Sequence, residues 1–415
     1  MTGASRRRRP RIALVGCGLI GFRHLQAWRL VSAASSVEFE IAAICDPDPQ
    51  AASRGVEFVR QWQGTSPKAL TSFEDILEQG QCDAVDVCLP VHLHEEVALS
   101  ALRAGMHVLM EKPIAATMPA ARRMVDLAHA SGRILSLAEN HRRSLAVRTA
   151  AWLIRDERAI GDPVLVRMER SRFREPTLSS WQWRAERRFS GGGWSIDNGA
   201  HLFDSLQYFF GPVAAVTASA RRIADHRVQR ADGSITSDER EDNLVALLRF
   251  ESGVVATFSN SSALPCNESF QYAIQGTQGA LVDHGGELFH APLLGADVRR
   301  ANGEIASLRQ HSERYLGTIA PELRDSLFPF GLMDDFAIEC ADFLLALSGK
   351  RSVEISGHDA LRTLGVSLAV YASAATGSTV HVADVLSGAV CGDQDIVDLP
   401  PSASPQSSPA GARVA

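Results

Sequence analysis

Apolar residues in the first third of the chain fall into short runs separated by segments of helical period. The runs lie at 11–15, 38–45, 84–89, 107–110 and 134–138. Between the first two, Phe22, Leu25 and Trp28 recur at the spacing of one helix face. Strands that alternate with helices are typical of βαβ units on a parallel sheet. We therefore expect a doubly wound Rossmann domain over residues 11–143.

The pattern changes after residue 150, where longer runs alternate in part between apolar and polar residues. These runs lie at 164–173, 213–220, 244–250 and 254–259. The turn 251–253 between the last two predicts a hairpin. Two helices are expected at 334–348 and 359–375. The prediction is an α/β chain whose second domain, residues 144–393, is α+β around a large, mostly antiparallel sheet.

Composition narrows the class of protein. At 415 residues and 45% hydrophobic content, the chain can bury two cores. Its net charge of -6 argues against a nucleic-acid partner, because such proteins usually present a basic surface. No apolar run approaches the ~18 residues of a spanning helix, so no membrane partner is expected. The seven cysteines are scattered without a C-x-x-C pair, which favours reduced thiols in the cytoplasm and no metal site.

Both ends of the chain are expected to lie outside the domains. Residues 1–10 include a run of arginines, which we interpret as a solvated basic tail rather than an export signal. Residues 394–415 are rich in Pro, Ser, Ala and Gly and have little to bury. That composition predicts a disordered tail.

A glycine fingerprint follows the first predicted strand. It reads Gly16-Cys17-Gly18-Leu19-Ile20-Gly21 and opens a predicted helix. Gly16 permits the tight turn, Gly18 lets the backbone approach a pyrophosphate, and Gly21 allows close helix packing. The free N–H groups at the start of the helix then receive the diphosphate. The fingerprint predicts a dinucleotide site, with Leu19 and Ile20 as further contacts.

Asp46 ends the second predicted strand, where a carboxylate can bind the adenosine ribose and repel a 2′-phosphate. Asp48 adds a second negative charge nearby. NAD is therefore favoured over NADP. The alternatives are that Arg54 or Arg60 receives a phosphate, or that Asp46 is only a turn residue before Pro47.

Two further motifs resemble those of a known family. Met110-Glu111-Lys112-Pro113 closes a predicted strand, and residues 191–204 read GGGWSIDNGAHLFD. Together with the glycine fingerprint, they resemble the glucose-fructose oxidoreductase, inositol dehydrogenase and rhizopine catabolism family (Gfo/Idh/MocA). The resemblance covers residues 11–385. It implies an NAD(P)-dependent oxidoreductase acting on an alcohol or ketone carbon of a sugar, amino sugar, sugar acid or cyclitol.

The resemblance implies three catalytic residues, Lys112, Asp197 and His201, which match the family's E-K-P and D-x-x-x-H motifs in order and spacing. Their chemistry agrees with these roles. Histidine can accept the hydroxyl proton when a hydride leaves a carbinol carbon. Lysine can stabilise alkoxide character on the same oxygen. All three are expected to bind substrate, and Lys112 also to contact the cofactor.

The spacing of these residues predicts how their side chains lie relative to one another. Asp197 and His201 are four residues apart, which places them on one face if the segment is helical. Asp197 is then expected to bind a substrate hydroxyl and to favour a protonated lysine. Asp204 either orients His201 or forms a surface salt bridge.

Four residues outside the fingerprint complete the expected cofactor contacts. Pro90 and His94 lie in a segment similar to the family's T-P-N-x-x-H, from which two positions depart. Glu111 precedes the expected catalytic lysine, and Asn140 resembles the segment that lines the nicotinamide side. A metal pair of His92 and His94 is disfavoured, because no cysteine or carboxylate cluster accompanies it.

Candidate substrate contacts precede the triple glycine. Trp181 and Arg184 are expected to meet a sugar, since the aromatic faces of Trp181 and Trp183 can stack on the ring, and a packed loop is the alternative. Arginines are dense around this point: Arg167, Arg170, Arg172, Arg174, Arg184, Arg187 and Arg188. Some could receive a carboxylated or phosphorylated substrate, although a solvated strand edge or a subunit interface is the commoner use of such a run.

The expected function is therefore hydride transfer between NAD, less favourably NADP, and a polyol or ketosugar. A homodimer or homotetramer through the C-terminal sheet is expected. Two alternatives remain: a catalytically silent regulatory protein that binds cofactor and sugar, and a reductase of a non-sugar substrate. Lys112, Asp197 and His201 together disfavour the regulatory protein, because a sensor needs no proton acceptor.

Overall fold

Two large β-sheets organise the chain. The computed structural model describes residues 9–79, 81–175, 177–180, 182–265, 268–283 and 295–390. Residues 1–8 of the expected basic tail and all of the expected tail at 394–415 lie outside these ranges.

The first sheet is parallel throughout. Its strands are β1 (Arg11–Val15), β2 (Glu40–Cys45), β3 (Lys68–Leu70), β4 (Ala84–Val87), β5 (His107–Glu111) and β6 (Leu135–Ala138). They lie in the order β3-β2-β1-β4-β5-β6. The chain changes direction across the sheet between β1 and β4, and ligands of such sheets bind beyond the carboxyl ends of the strands at that point. The expected Rossmann fold is confirmed.

Helices connect these strands and cover the sheet. They are α1 (Leu19–Ala34), α2 (Pro49–Gln63), α3 (Phe73–Gln79), α4 (His94–Arg103) and α5 (Met118–Ser131), with a 3-10 turn at Val91–Leu93 before α4. Leu25 and Trp28 of α1 are fully buried, as the spacing of apolar residues predicted. Two further helices, α6 (Asn140–Arg143) and α7 (Leu145–Arg155), lead out of β6.

The second half of the chain builds the other sheets. Its strands are β7 (Pro163–Ser171), β8 (Leu178–Ser180), β9 (Val213–Arg221), β10 (Arg227–Gln229), β11 (Ile235–Ser237), β12 (Asn243–Phe250), β13 (Val255–Ser261), β14 (Ser269–Gly276), β15 (Gly279–Asp283), β16 (Asp297–Arg300), β17 (Ile305–Ser307) and β18 (Val380–His381). The large sheet has the order β17-β16-β15-β14-β7-β13-β12-β9-β18, and β11-β10-β8 form a small one.

Pairing in the large sheet is antiparallel except between β13 and β7. The expected hairpin is present as β12 and β13. One face of β12 is buried through Leu244, Ala246 and Leu248, while Val245 on the other face is half exposed. The expected α+β architecture around a mostly antiparallel sheet is therefore confirmed.

Helices of the second half are α8 (Arg187–Ser190), α9 (Trp194–Asp197), α10 (Gly199–Phe210), α11 (Leu308–Thr318), α12 (Pro321–Leu327), α13 (Asp335–Leu347), α14 (Gly357–Thr376) and α15 (Val382–Ser387). Two 3-10 turns lie at Trp183–Ala185 and Pro329–Gly331. α14 packs under β9 of the large sheet, whereas α13 returns to pack against α1 of the Rossmann fold. The two halves therefore share a packed boundary rather than a simple linker.

Two findings bear on the environment of the chain. In the part of the chain that the structure describes, no helix is both long and apolar enough to cross a bilayer. Cys17, Cys45, Cys82, Cys88 and Cys340 are free thiols.

Candidate active site

A cleft of about 920 Å³ runs from the turn after β1 to the start of α10. It lies at the carboxyl ends of the parallel strands, where the fold predicts a ligand. Most of the site residues expected from the sequence line it: Gly16, Gly18, Leu19, Ile20, Asp46, Pro90, Glu111, Lys112, Asn140, Arg184, Asp197 and His201. Both halves of the chain contribute to this one cleft.

The glycines of the loop after β1 have two different structural roles. Gly16 has a φ of 90°, and a Cβ there would lie 2.4 Å from the carbonyl oxygen of Cys88. A Cβ on Gly21 would lie 1.9 Å from the carbonyl oxygen of Gly16. A Cβ on Gly18, by contrast, would meet no atom within 4 Å. The fold requires the first and third glycines, while the second borders open space at the start of α1, as a bound pyrophosphate needs.

Asp46 is held beside the glycine loop. Its Oδ2 accepts the Cys17 N–H at 2.7 Å, and its Oδ1 accepts the Asp48 N–H at 2.9 Å. Asp48 caps the start of α2 and lies 4.0 Å from Arg54, while Arg60 is paired within α2. Both arginines considered for a 2′-phosphate thus have acidic neighbours.

Lys112 and Asp197 join the two halves of the chain. Lys112 directly follows strand β5, and its Nζ donates to Asp197 Oδ1 at 2.9 Å and to the Asp197 carbonyl oxygen at 3.0 Å. On its other side, Asp197 Oδ2 accepts from Arg184 Nε at 3.2 Å. One carboxylate therefore lies between two cations.

The charge states of this pair follow from their surroundings. Burial alone would lower the pKa of Lys112, but Asp197 and then Glu111 outweigh burial and raise it. For Asp197, burial acts to raise the pKa, whereas Lys112 and then Arg184 bring it well below its usual range. At neutral pH the pair is an ammonium and a carboxylate.

His201 has a partner that the sequence did not suggest. Its Nδ1 lies 2.5 Å from Oε1 of the buried Glu139. Glu139 caps α6 by accepting the His141 N–H, and the His141 ring stacks on His201 with centroids 3.8 Å apart. We assign the proton to Nδ1, since a carboxylate accepts it, which leaves Nε2 of His201 as a hydrogen-bond acceptor.

Two opposing influences act on the His201 imidazole. Burial, followed by the nearby Lys112 ammonium, lowers the pKa of His201 to about 3, so the ring is neutral at neutral pH. The Glu139 carboxylate acts in the opposite direction, because it stabilises a protonated ring. Burial raises the pKa of Glu139, although His141 and Lys112 act to lower it. The result is a neutral ring backed by a group that can stabilise a newly gained proton.

Glu139, His141 and His201 also place one potential ligand atom each within 4.8 Å of one another. Their two imidazoles are nearly parallel, with 15° between the ring planes. In-plane lone pairs of parallel rings do not converge on a single ion. We therefore interpret the cluster as a proton-sharing group.

Two geometric expectations for this region are wrong. Asp204 neither orients His201 nor forms a surface salt bridge: its oxygens accept from Arg142 at 2.5 and 2.8 Å, and its side chain is 1% exposed. Asp197 and His201 do not share one helix, because α9 ends at Asp197 and α10 begins at Gly199. The two side chains instead reach different partners, Lys112 and Glu139.

His94 lies behind the cleft and does not line it. It is buried, with Nε2 2.8 Å from the Leu89 carbonyl oxygen and Nδ1 3.0 Å from that of Pro113. It thus ties the loop after β4 to the loop after β5. His94 shapes the cleft by holding these loops, as Gly21 does by packing under the glycine loop.

Asn140 and Glu111 line the cleft while bonded to the protein. Asn140 Nδ2 donates to Asp335 Oδ2 at 2.8 Å, at the start of α13. Glu111 accepts the Lys112 N–H at 2.9 Å and lies 3.2 Å from Nε2 of His24. Both residues therefore help to fix the backbone around Lys112.

Among the expected substrate contacts, Trp181 lies outside the described residues. Arg184 lines the cleft, and its guanidinium lies 4.2 Å from the ring centre of Trp183, which also lines it. Glu139 and His141 were not among the expected site residues. A sequence signal existed for Glu139 and His141, because they directly follow a parallel strand on either side of Asn140.

Two family models match this chain. Residues 10–139 match the GFO_IDH_MocA family model, described as an oxidoreductase family with an NAD-binding Rossmann fold. Residues 147–282 match the model of the GFO/IDH/MocA C-terminal domain.

Individual relatives cover nearly the whole chain. A 1,5-anhydro-D-fructose reductase of Ensifer adhaerens is 28% identical, over 88% of this chain and 98% of its own. A levoglucosan dehydrogenase of Pseudarthrobacter phenanthrenivorans is 25% identical, over 90% of this chain and 98% of its own. The structure of a levoglucosan dehydrogenase with NADH and L-sorbose superposes with a TM-score of 0.73, at 23% identity, over 91% of this chain and all (100%) of the other.

Proposed function

The chain belongs to the Gfo/Idh/MocA oxidoreductase family, and from this premise we propose that it transfers a hydride between NAD and an alcohol or ketone carbon of a sugar or cyclitol. Its relatives include a reductase of 1,5-anhydro-D-fructose and a dehydrogenase of levoglucosan. These names support a small sugar-like molecule as the substrate of this chain too.

The observation that carries the proposal is the meeting of Lys112, Asp197 and His201 in the cleft that begins at the glycine loop. A protein that only bound a dinucleotide would need the loop alone. The additional groups are a charged lysine and a neutral imidazole with a free acceptor nitrogen, which are the groups needed to handle a hydroxyl proton.

The cleft suits a dinucleotide. Gly18 leaves open space beside the N–H groups at the start of α1, where these residues would hold a pyrophosphate. Asp46, beside the loop, would hold the ribose, and its negative charge favours NAD over NADP. When bound, the nicotinamide supplies the hydride acceptor or donor.

In the oxidation direction, Nε2 of His201 accepts the hydroxyl proton of the substrate. The Glu139 carboxylate stabilises the imidazolium that results, because it bonds the opposite ring nitrogen. In the reduction direction the same imidazolium returns the proton. Glu139 is therefore a positioning residue that acts through His201.

Lys112 faces the same substrate oxygen. Its ammonium stabilises negative charge on that oxygen, and Asp197 holds the ammonium in place from the side of the second domain. Arg184 bonds the second oxygen of Asp197, so the carboxylate keeps its orientation. The contact between Lys112 and Asp197 also brings the two halves of the chain to the reacting carbon.

The function is tested by following nicotinamide absorbance with inositols, hexoses, amino sugars and uronic acids, in both directions. Turnover with at least one of them is expected, and Lys112→Met should reduce kcat by about 10²–10³-fold while leaving NADH affinity within a few-fold. Absence of turnover throughout the panel, with NADH binding intact, would favour a regulatory protein. A non-sugar substrate is indicated if only ketones or imines outside the panel are reduced.

We also propose that copies of this chain assemble through the open face of the large sheet. Along β12, Leu244, Ala246 and Leu248 face the core, while Val245 points outward and is 51% exposed. A second copy is the occupant that this face suits, because a homo-oligomer can pair the same surface of two copies across a two-fold axis.

A further inference from the structure

A cluster of buried ionisable side chains lies behind Glu111, at the wall of the cleft. His24 of α1, Asp86 of β4 and Glu339 of α13 are fully buried, and Glu111 at the end of β5 joins them from the lining of the cleft. The steps of hydride transfer described above use none of the three buried groups. Because burying a charge costs free energy unless it is paired, the bonds within the cluster indicate what it does.

Both ring nitrogens of His24 face carboxylates. Nδ1 lies 3.0 and 3.1 Å from the two oxygens of Asp86, and Nε2 lies 3.2 Å from Oε1 of Glu111. An ionised carboxylate only accepts hydrogen bonds, whereas a neutral imidazole has a proton on one nitrogen alone. A neutral ring would therefore leave a nitrogen lone pair against a carboxylate oxygen. Both contacts are satisfied when His24 is an imidazolium that donates in two directions.

The surroundings of the ring favour this charge. Burial alone would lower the pKa of His24, but Asp86 and then Cys88 outweigh burial and raise it well above its ordinary value. Burial raises the pKa of Glu339 well above its ordinary value, although His24 and then Arg143 act to lower it. At neutral pH the ring is therefore charged, while burial disfavours a negative charge on Glu339.

Asp86 orients the imidazole from within the Rossmann core. Besides the His24 contact, its Oδ2 accepts from the indole Nε1 of Trp28 at 2.8 Å. His24 and Trp28 are four residues apart on α1, so both side chains point from one face of the helix towards β4. One buried carboxylate thus bonds two successive turns of α1 and fixes the direction in which Nε2 of His24 points.

Glu111 connects the imidazole to Lys112. Its Oε1 faces Nε2 of His24, and its Oε2 accepts the main-chain N–H of Lys112 at 2.9 Å. One carboxylate thus joins the fixed ring to the peptide group of the catalytic lysine. Against the effect of burial, Asp197 and then Glu111 raise the pKa of Lys112. Glu111 therefore influences both the position and the charge of this lysine.

Lys112 is held at both ends by these contacts. Asp197 of the second half bonds its Nζ at 2.9 Å, while Glu111 bonds its main chain from the Rossmann side. Position matters here, because a displacement of about 1 Å in an active site can reduce the rate by roughly 10²-fold. A residue that fixes Glu111 therefore contributes to catalysis without touching the substrate.

We propose that His24 is a positioning residue for the reaction: its buried imidazolium holds Glu111 in the orientation that places Lys112 at the reacting oxygen. The inference rests on the proposed function for the role of Lys112, whereas the series of contacts from Asp86 through His24 to Glu111 stands on the structure alone. His24 does not line the cleft, so it acts through Glu111.

Two substitutions of His24 separate its two bonds. An asparagine amide nitrogen lies near the position of Nδ1 and a glutamine amide nitrogen near that of Nε2, so His24→Asn keeps a donor for Asp86 and His24→Gln keeps one for Glu111. With a sugar that the wild type turns over, His24→Asn should lower kcat about tenfold or more, the size expected of a hydrogen bond to a charged group. KM and NADH affinity should stay within about threefold.

His24→Gln should keep kcat within about threefold of the wild type. Equal kcat values in the two His24 variants, whether low or unchanged, would overturn the proposal. His311→Asn is the matched control, since it removes a buried imidazole from α11 that does not line the cleft, and its kcat should equal that of the wild type. Urea unfolding shows that each variant is folded.

A double-mutant cycle tests whether His24 acts through Glu111. Glu111→Ala should lower kcat about as much as His24→Asn, and the double variant should lose no more than either single variant. Additive losses would overturn the proposal. Should His24→Asn fail to fold, the proposal is still overturned if Glu111→Ala keeps the kcat of the wild type.

A magnetic resonance measurement separates this proposal from the proposed function, because it needs no turnover. Labelling lysine with ¹³C at Cε gives signals for Lys112 and for the exposed Lys68 and Lys350, the other lysines of the chain. In the NADH-loaded protein, His24→Asn should shift the Lys112 signal alone, and His24→Gln should leave it near its wild-type position. The Lys112 signal is identified by its loss in Lys112→Arg.

The two hypotheses then fail in different ways. A Lys112 signal that responds to His24→Asn, in a protein that turns over no sugar, would overturn the proposed oxidoreduction and leave the positioning of Lys112 in place. Turnover of a sugar together with an unmoved Lys112 signal would overturn the role of His24 and leave the proposed function in place.

Discussion

At the level of single residues, the balance around His201 decides which proton transfers the site can perform. Burial and then Lys112 oppose a charge on the ring, whereas Glu111 and Asp197 favour it. Glu139, whose Oε1 lies 2.5 Å from Nδ1 of the ring, also stabilises a proton gained by the histidine. The buried carboxylate therefore favours the role of His201 as a base.

Replacing Glu139 by glutamine tests that balance. Glutamine keeps an oxygen for the His201 Nδ1–H and for the start of α6, but it removes the negative charge. The imidazolium loses stabilisation, so its pKa falls and the acid limb of the kcat/KM profile for alcohol oxidation moves to lower pH. The rate at neutral pH should fall by less than the roughly 10²-fold that a general base itself contributes, because His201 is still present.

Asp204→Asn is the matched control for this change. Asp204 is a buried carboxylate on the same helix as His201, but it bonds Arg142. It should leave the acid limb where it is in the wild type. If Asp204→Asn moves the limb as far as Glu139→Gln does, the specific role of Glu139 is wrong.

The sequence predicted part of this site and missed another part for a physical reason. Lys112, Asp197 and His201 lie in local motifs, so their residue types and spacing predicted groups that handle the proton of a substrate hydroxyl. Glu139 and His201 are 62 positions apart, and only the packing of α6 against α10 brings them together. The same packing places Asp204 beside Arg142. Helical spacing alone could not predict this partner.

At the level of elements, the glycine loop contains one glycine that the fold requires and another that cofactor binding requires. Gly16 has a φ of 90° and touches the backbone of Cys88, whereas Gly18 has an ordinary extended backbone and borders the cleft. Gly16→Ala should cost more than about 1–3 kcal/mol of folding free energy, because an alanine is strained at that φ and its Cβ would also lie 2.4 Å from the Cys88 carbonyl oxygen. Gly18→Ala should fold normally but bind NADH about tenfold or more weakly, because its methyl group stands where the pyrophosphate approaches.

The measurements are urea unfolding and NADH titration on both variants. Each variant is the control for the other, since the two positions are two residues apart in the same loop. If Gly18→Ala binds NADH as the wild type does, the pyrophosphate does not lie at this turn.

The pair of Arg142 and Asp204 bonds α6 to α10. Burial raises the pKa of Asp204 to about 6 even with Arg142 beside it. Arg142→Met leaves that buried carboxylate without its partner and should destabilise the fold by about 3–5 kcal/mol at neutral pH. Because the folded pKa of Asp204 lies above its ordinary value, the loss should be smaller at pH 5, where Asp204 takes up a proton, than at pH 8.

Urea unfolding at the two pH values checks this prediction. The double variant Arg142→Met/Asp204→Leu removes both charges and should recover most of the lost stability, since a buried pair can be replaced by apolar side chains at little cost. Equal destabilisation by Arg142→Met at pH 5 and pH 8 would contradict the role given to Asp204.

Elements with a clear period were predicted closely, while others depended on the rest of the fold. The hairpin of β12 and β13 and the helices α13 and α14 were expected near their observed bounds. The strands β14–β17 were not expected, because the pattern of such strands depends on the neighbours with which they pair in the sheet. The parallel pairing of β7 with β13 also lies beyond local sequence, since it joins strands about 90 positions apart.

At the level of the whole molecule, the packing of α13 on α1 makes the cleft a property of both halves of the chain. Asn140, at the end of the Rossmann fold, bonds Asp335 at the start of α13, and Lys112 bonds Asp197 across the cleft. The boundary expected at residue 143 therefore divides the chain into two segments, but neither segment forms the site by itself. The site exists only where the segments meet.

The open face of the large sheet gives the last prediction. Val245 is 51% exposed on that face, beside Leu247 and the paired residues Ser219 and Ser259. If two copies meet there, Val245→Arg places two like charges near a two-fold axis, in a surface that must lose water, and should convert the oligomer to monomers. Light scattering measures the mass. Leu323→Arg, at a similarly exposed residue of α12, should leave the oligomer intact, and a wild-type protein that is monomeric at micromolar concentration would refute the interface.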